Sequence, residues 1–356
     1  MLTCLTFVAT LGIVGRAAGQ PSGGVRGAAV RPEGAAGEAG PEPHQVPAPN
    51  GPGGPGARRW TRRRILALGL GGAAAVIGAG ALGVELVSHG VLPGQQELDQ
   101  IDGACSVAAP PLRFSGRGTS RSASFSSAAR RRRVGYTVAW PPGHRPGSSL
   151  PLVVMLHGEG ANHADALSGM TPAQAVALVV NGRPLPPMAM VTVDGGTGYW
   201  NPHPGDDPMA MVLEELIPMC QRMGLGRDRI GTMGVSMGGY GALLLAEKRP
   251  ELIDAVAAIS PAVWTSYAEA AGVNARAYAS PSAFAWADAV THTAALAHTP
   301  VRVASGVDDP FHPGVVALAA ALPPSATVVF SPGCHTGEFF VAQEPPSLEF
   351  LGRHLT

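Results

Sequence analysis

Lysine is almost absent from this 356-residue sequence: of 25 Lys and Arg residues, only Lys248 is a lysine. That bias fits GC-rich coding rather than a basic partner, because 25 acidic residues balance the 25 basic ones. A chain with no net charge has no large field with which to hold nucleic acid. Cysteine is also scarce. The four residues, Cys4, Cys105, Cys220 and Cys334, include no CxxC spacing, which argues against a zinc ribbon or a thioredoxin-type site. Charged residues are only 14% against 46% hydrophobic, which excludes a wholly disordered chain. At about 150 residues per domain, the length allows two domains at most.

The glycine and proline excess is concentrated near the N-terminus. Residues 21–57 hold 18 Gly or Pro among 37 and almost no large apolar side chains. Such a stretch buries too little surface to offset its ordering entropy, so 1–57 is expected to be a disordered, low-complexity N-terminus, or an overextended gene start. An arginine cluster at 58–64 then leads into 65–84, 20 residues without a charge. Twenty helical residues span about 30 Å, the thickness of a bilayer's hydrocarbon core. Thr61-Arg62-Arg63-Arg64-Ile65-Leu66 is similar to a twin-arginine export signal. Segment 58–87 therefore predicts either a cleaved signal or a retained membrane anchor through residues 65–84, with the C-terminal part outside the cytoplasm. Gly78-Ala79-Gly80-Ala81-Leu82-Gly83 matches a dinucleotide-binding pattern, but it lies inside the apolar run rather than between a strand and a helix. Residues 88–113 read as a linker.

From 114 to 356 the pattern becomes one of short strands and helices. Strands are expected at 134–140, 152–156, 188–193, 229–233, 255–259, 301–304 and 327–330, with helices over 208–220 and 239–247. Continuous apolar strands are those buried on both faces. Their alternation with helices predicts an α/β class domain with a mostly parallel, doubly wound sheet.

Gly234-Val235-Ser236-Met237-Gly238 fits G-x-S-x-G. Alone the match is weak. Here it stands between an expected strand and an expected helix, the context that lifts a serine hydroxyl onto the top of a sheet. A nucleophilic serine needs a base and a group to orient that base, in the chain order Ser, acid, His. Strand 301–304 runs into Asp308-Asp309, and strand 327–330 runs into His335. Spacing does not choose between Asp308 and Asp309. The oxyanion donors are expected to be the N–H of Met237 and the N–H of Glu159 or its neighbour, after strand 152–156. His157, His163 and Asp165 lack a metal-binding register, so no metal is expected. Asp194, Trp200, His203, Asp206 and Asp207 sit on the loop after strand 188–193, where loops build pockets. Of these loop residues and their neighbours, His157, Asp194, Trp200 and His203 are the candidate substrate contacts. Arg130–Arg133 reads as a solvated turn.

Several of these stretches occur together in one family. Residues 132–355 resemble the putative esterase family of α/β hydrolases, which includes S-formylglutathione hydrolases and the antigen 85 mycolyltransferases. The matching segments are 136–144, 151–160, 194–200, 234–242, 306–311 and 333–340. The resemblance implies the α/β-hydrolase fold and acyl-ester chemistry with Ser236, Asp309 and His335 as the triad. It selects Asp309 through Gly306-x-x-Asp309-Pro310-Phe311, and it implies the Met237 and Glu159 N–H groups as oxyanion donors. The apolar segment and Val91-Leu92-Pro93-Gly94 are similar to an exported actinobacterial branch. One departure is Cys334, where a glycine is usual and a larger side chain is expected to shift the loop.

The expectation is thus an exported or membrane-anchored serine esterase without a cofactor, acting on a small-molecule or lipid or glycolipid acyl ester. Its rivals are an acyltransferase to a sugar or lipid hydroxyl and a catalytically silent surface protein on a hydrolase scaffold.

Overall fold

The apolar run around Leu152–Leu156 carries no charge and alternates its side chains between the two sides of a pleat, so it needs cover on both faces. In the structure, a computed structural model describing residues 105–356, it forms the inner strand β3 (Leu150–Leu156). The disordered N-terminus expected at 1–57, the signal or anchor at 58–87 and the linker up to 104 lie outside the described residues.

The chain order is β1 (Thr119–Ser127), β2 (Arg132–Trp140), β3, a short α1 (Pro172–Ala175), the two-residue strands β4 (Val179–Val180) and β5 (Arg183–Pro184), then β6 (Ala189–Val193). A helical stretch follows as α2 (Pro208–Ala210), a π-helical turn (Met211–Leu216) and α3 (Ile217–Arg222). Next come β7 (Leu225–Val235), α4 (Met237–Lys248), β8 (Ala255–Ile259), α5 (Tyr267–Val273), α6 (Pro281–Ala287) and β9 (Val301–Gly306). The chain closes with α7 (His312–Ala321), β10 (Thr327–Ser331) and α8 (Gly337–Leu355). Eight strands form one sheet in the order β1-β2-β6-β3-β7-β8-β9-β10. β1 and β2 run antiparallel to their neighbours, and from β6 onward every pair is parallel.

The period of two sorts the core into two layers. Leu152, Val154 and Leu156 face one apolar cluster with Leu216, Ile217, Leu243 and Leu244; Val153 and Met155 face another with Ala175, Phe339, Leu348 and Leu351. Helices therefore cover both sides. Each fully buried Leu or Val contributes about 1.5–3 kcal/mol relative to exposure. α4 is buried nearly all round, which suits a helix wedged between the sheet and a further layer.

Several elements differ from expectation. β7 starts at Leu225 rather than 229, and edge strand β1 has no counterpart in the expected set. β1 is mostly exposed and serine-rich, so it carries no apolar run to announce it. The helix expected over 208–220 widens at Met211–Leu216, where the Ile217 N–H reaches back to the Val212 carbonyl. Pro218, just beyond, brings no N–H of its own to the ladder. The final part of the expected linker, 105–113, is fastened to the domain through Cys105–Cys334 and the Val179 N–H to the Arg113 carbonyl at 2.8 Å.

Candidate active site

Because the sheet is parallel from β6 onward, the turns after β3, β7, β9 and β10 all emerge at its carboxyl edge, where ligands collect in such folds. β7 ends at Val235, and α4 begins at Met237. Ser236 alone makes the turn, with φ 54° and ψ −123°. A left-handed conformation in a residue with a side chain stores about 1–3 kcal/mol, which the surrounding structure must hold. The flanking glycines make the turn sterically possible. A Cβ on Gly234 would stand 2.3 Å from the Gly238 backbone, and one on Gly238 would stand 2.0 Å from the Leu156 carbonyl oxygen.

His335 joins the serine to the acid. Its Nε2 lies 2.8 Å from Ser236 Oγ, and its Nδ1 lies 2.9 Å from Asp309 Oδ2. The Asp309 side chain is fully buried, and its Oδ1 accepts the Phe311 N–H at 2.8 Å. Asp308 is turned away: its backbone N–H donates to the Gly333 carbonyl at 3.1 Å, and the residue is half-buried. A hydroxyl, an imidazole and a buried carboxylate in this line are able to take the serine proton as the oxygen attacks. Met237 opens α4, so its N–H falls in the first turn, where the helix offers no acceptor. Gly158 and Glu159 border the same cavity as Ser236.

That cavity holds about 540 Å³. Tyr199, Val235, Trp264, Phe311 and Phe340 form apolar walls, and Glu159, Asn274 and Arg276 lie at the polar rim. The Asn274 amide donates to both Glu159 carboxylate oxygens, at 2.9 and 3.0 Å. Burial holds the Tyr199 hydroxyl well above the usual phenol range.

None of the four candidate substrate contacts lines this cavity, and each is engaged in holding a loop. Burial holds the His157 imidazole below its usual pKa, hence neutral. Its Nε2 accepts the Gly195 N–H at 2.9 Å, which leaves Nδ1 to donate to the Gly158 carbonyl at 2.7 Å. The Asp194 carboxylate accepts the Gly135 and His163 N–H groups, both at 2.9 Å. Trp200 is fully buried and donates its indole N–H to the His157 carbonyl at 3.3 Å. His203 Nε2 pairs with the Gly198 carbonyl at 2.8 Å. Asp207 caps α2 through the Ala210 N–H. Together these bonds shape the loop that presents Tyr199.

Of the arginine run, Arg131, Arg132 and Arg133 are exposed as expected and only Arg130 departs. Arg130 is buried, not solvated: its Nε and Nη2 donate to the Asp206 carboxylate at 2.7 and 3.0 Å, and its Nη1 donates to the Asp194 carbonyl at 2.6 Å. The Cys334 side chain is buried in a disulfide with Cys105, 229 residues away, while Cys220 is free and buried. Trp264 and Asn274 carry no sequence signal as site residues, since only the fold brings their loops to the cavity; Tyr199 and Phe340 lie in segments that resemble the family but are not singled out by residue type or spacing.

Fold and site define a hydrolase of the α/β-hydrolase type, with serine, histidine and aspartate aligned at the carboxyl edge of the sheet. The chain belongs to the putative esterase family, whose sequence model matches residues 127–313, a span that includes Ser236 and Asp309 and stops short of His335. No curated protein sequence matches it. Among solved structures, a ferulic acid esterase is similar at a TM-score of 0.55 and 17% identity, covering 68% of this chain and 100% of that one. An S-formylglutathione hydrolase from Agrobacterium tumefaciens gives 0.55 at 18% identity over 69% of this chain and 99% of its own. MPT51 of Mycobacterium tuberculosis gives 0.51 at 17% identity over 70% of this chain and 100% of its own. At these identities the likeness is one of fold.

Proposed function

We propose that the protein is a serine esterase that cleaves carboxylic esters through an acyl-enzyme on Ser236. The observation that carries this reading is the unbroken line from Ser236 Oγ through His335 to the buried Asp309 carboxylate, opening on a cavity of about 540 Å³. His335 takes the hydroxyl proton as Ser236 attacks the acyl carbon, then delivers it to the leaving alcohol. Asp309 fixes the ring and stabilises the imidazolium. The Met237 and Glu159 N–H groups meet the oxyanion, each donor of this kind contributing about 2.7–4 kcal/mol in the transition state. Water then repeats the sequence in reverse to release the acid.

A fluorophosphonate probe tests the reading directly. Labelling is expected on Ser236 and abolished in Ser236→Ala; an unlabelled folded protein would return the chain to the scaffold-only reading. Product analysis with a short acyl ester, with and without a sugar alcohol, then tells hydrolysis from acyl transfer.

We also infer that the domain works outside the cytoplasm. The arginine cluster at 58–64, the uncharged stretch at 65–84 and the Cys105–Cys334 bond support this, since disulfides persist mainly in oxidising compartments. Among the described residues no helix is long and apolar enough to cross a membrane. A reporter fused after residue 104 should lose export on Arg62→Lys/Arg63→Lys substitution; equal export removes the twin-arginine reading.

A further inference from the structure

The residue before the base is half of a disulfide. Cys334 is fully buried and Cys105 nearly so, and the bond closes a loop of 229 residues directly beside His335. The base sits on an irregular turn between β10 and α8. On its inner side, that turn is held by the Asp308 N–H to the Gly333 carbonyl at 3.1 Å, and within itself by the Thr336 N–H to the Cys334 carbonyl at 2.9 Å. Its outer side is covered by a strap of residues 105–108: Cys105 bonded to Cys334, and Val107 packed on Gly333. Alongside strap and turn runs an open cavity of about 930 Å³, lined by residues 105–108 and 335–338. On that side the turn borders this cavity, while the Phe311 and Phe340 rings pack on His335 at 5.0 and 5.1 Å between centroids.

We propose that the Cys105–Cys334 bond is a positioning element for His335, so that the esterase turns over substrate only in its oxidised form. This rests on the reading of Ser236 and His335 given above. A displacement of the base by about 1 Å is enough to cost on the order of 10²-fold in rate, and this turn also carries the contact that keeps His335 against the Asp309 loop. The chemistry is a reversible two-electron exchange. A dithiol reductant attacks one cysteine sulfur and releases the other as a thiol; its second thiol then displaces the attacked cysteine from the mixed disulfide, so that the protein gains two electrons and two protons as Cys105 and Cys334 thiols while the reductant leaves as a cyclic disulfide. A disulfide-bearing oxidant runs the exchange backward. The third cysteine of the domain, Cys220, is buried in the cluster on the other face of the sheet and does not compete. The chain would thus be latent under reducing conditions and switched on once oxidised.

The test compares oxidised and dithiothreitol-reduced full-length protein on p-nitrophenyl acetate, with thiols counted by alkylation and mass, and with fluorophosphonate labelling and near-ultraviolet circular dichroism followed in parallel. Reduction is expected to lower kcat and the labelling rate at least tenfold, with KM within about twofold and the dichroism retained. Oxidised glutathione should restore the rate. Cys105→Ser/Cys334→Ser should be slow in both states and unresponsive to reductant, whereas Cys220→Ala should respond like wild type. A fully reduced wild type with unchanged kcat, or a double variant with wild-type kcat, overturns the positioning role. So does a reduced protein that has lost its dichroism, because the bond would then hold the fold rather than the base. Absence of labelling in the oxidised protein is distinct: it overturns the serine reading, and this proposal with it.

Discussion

Gly306 and Gly333 meet backbone to backbone: a Cβ on Gly306 would stand 2.0 Å from the Gly333 carbonyl oxygen. Gly306 ends β9, three residues before the acid, and Gly333 lies two residues before the base. The seam between them sets how closely Asp309 approaches His335. Gly306→Ala should force the two turns apart and lengthen the 2.9 Å Asp309–His335 bond. A fall in kcat of about tenfold or more is expected, together with about 1–3 kcal/mol of lost stability from overpacking. Steady-state kinetics and thermal melts of the one variant check both; wild-type kcat would mean that the seam yields without moving the acid.

Adjacent aspartates separate a role in the triad from mere proximity. Asp309→Asn should lower kcat steeply, by about 10⁴-fold if it follows the acid-to-amide change in serine proteases. Asp308→Asn alters a half-exposed side chain and should stay within about twofold, as surface changes usually do. Parallel kcat measurements on the two variants decide the matter, and equal effects would contradict the assigned acid.

Across the cavity mouth, Asn274 holds the Glu159 side chain, and the Asn274 Oδ1 accepts the Arg276 N–H at 3.0 Å, which fixes which end of the amide faces the glutamate. Asn274→Ala frees the residue whose N–H is assigned to the oxyanion. A loss of about two- to tenfold in kcat is expected, matching a bond worth about 0.5–1.5 kcal/mol. Glu159→Gln keeps an acceptor and should lose less than Glu159→Ala. A double-mutant cycle measures the coupling; strict additivity of the two alanine variants would show that none exists.

Glu247 contributes a pH dependence far from the site. It is buried on α4, and among the described residues neither carboxyl oxygen has a hydrogen-bond partner. Burial, with Asp288 adding to it, pushes its pKa up to about 9 from an ordinary 4.5. Between those two values the unfolded chain has released a proton that the folded chain keeps, so stability falls as pH rises. Glu247→Gln should therefore melt higher than wild type at pH 8 and close to it at pH 4.5. Melting curves across that window check the sign.

Much of the domain is readable along the chain because β3 and β8 are uninterrupted apolar runs, and β6 and β9 are short β-rich runs broken only by Thr192, Arg302 and Ser305. The elbow is readable for a different reason: two glycines around a serine, between a strand and a helix, supply the positions without side chains that so tight a turn requires. β1 is not readable, since its exposed serines resemble a loop. Arg130, alone in the arginine run at 130–133, misleads for the opposite reason. Charge is ordinarily solvated, and only the arrival of Asp206, 76 positions later, makes burial of Arg130 tolerable.

Order along the chain, by itself, determined the α/β alternation and the succession of serine, acid and histidine at strand ends, because periodicity and turn chemistry act over a few residues. Tertiary structure alone decided which sulfurs pair, which aromatic rings wall the cavity, and which loops His157, Asp194, Trp200 and His203 brace. Those outcomes depend on separations of tens to hundreds of residues being closed by the sheet, and no local pattern encodes the distance at which two such segments meet.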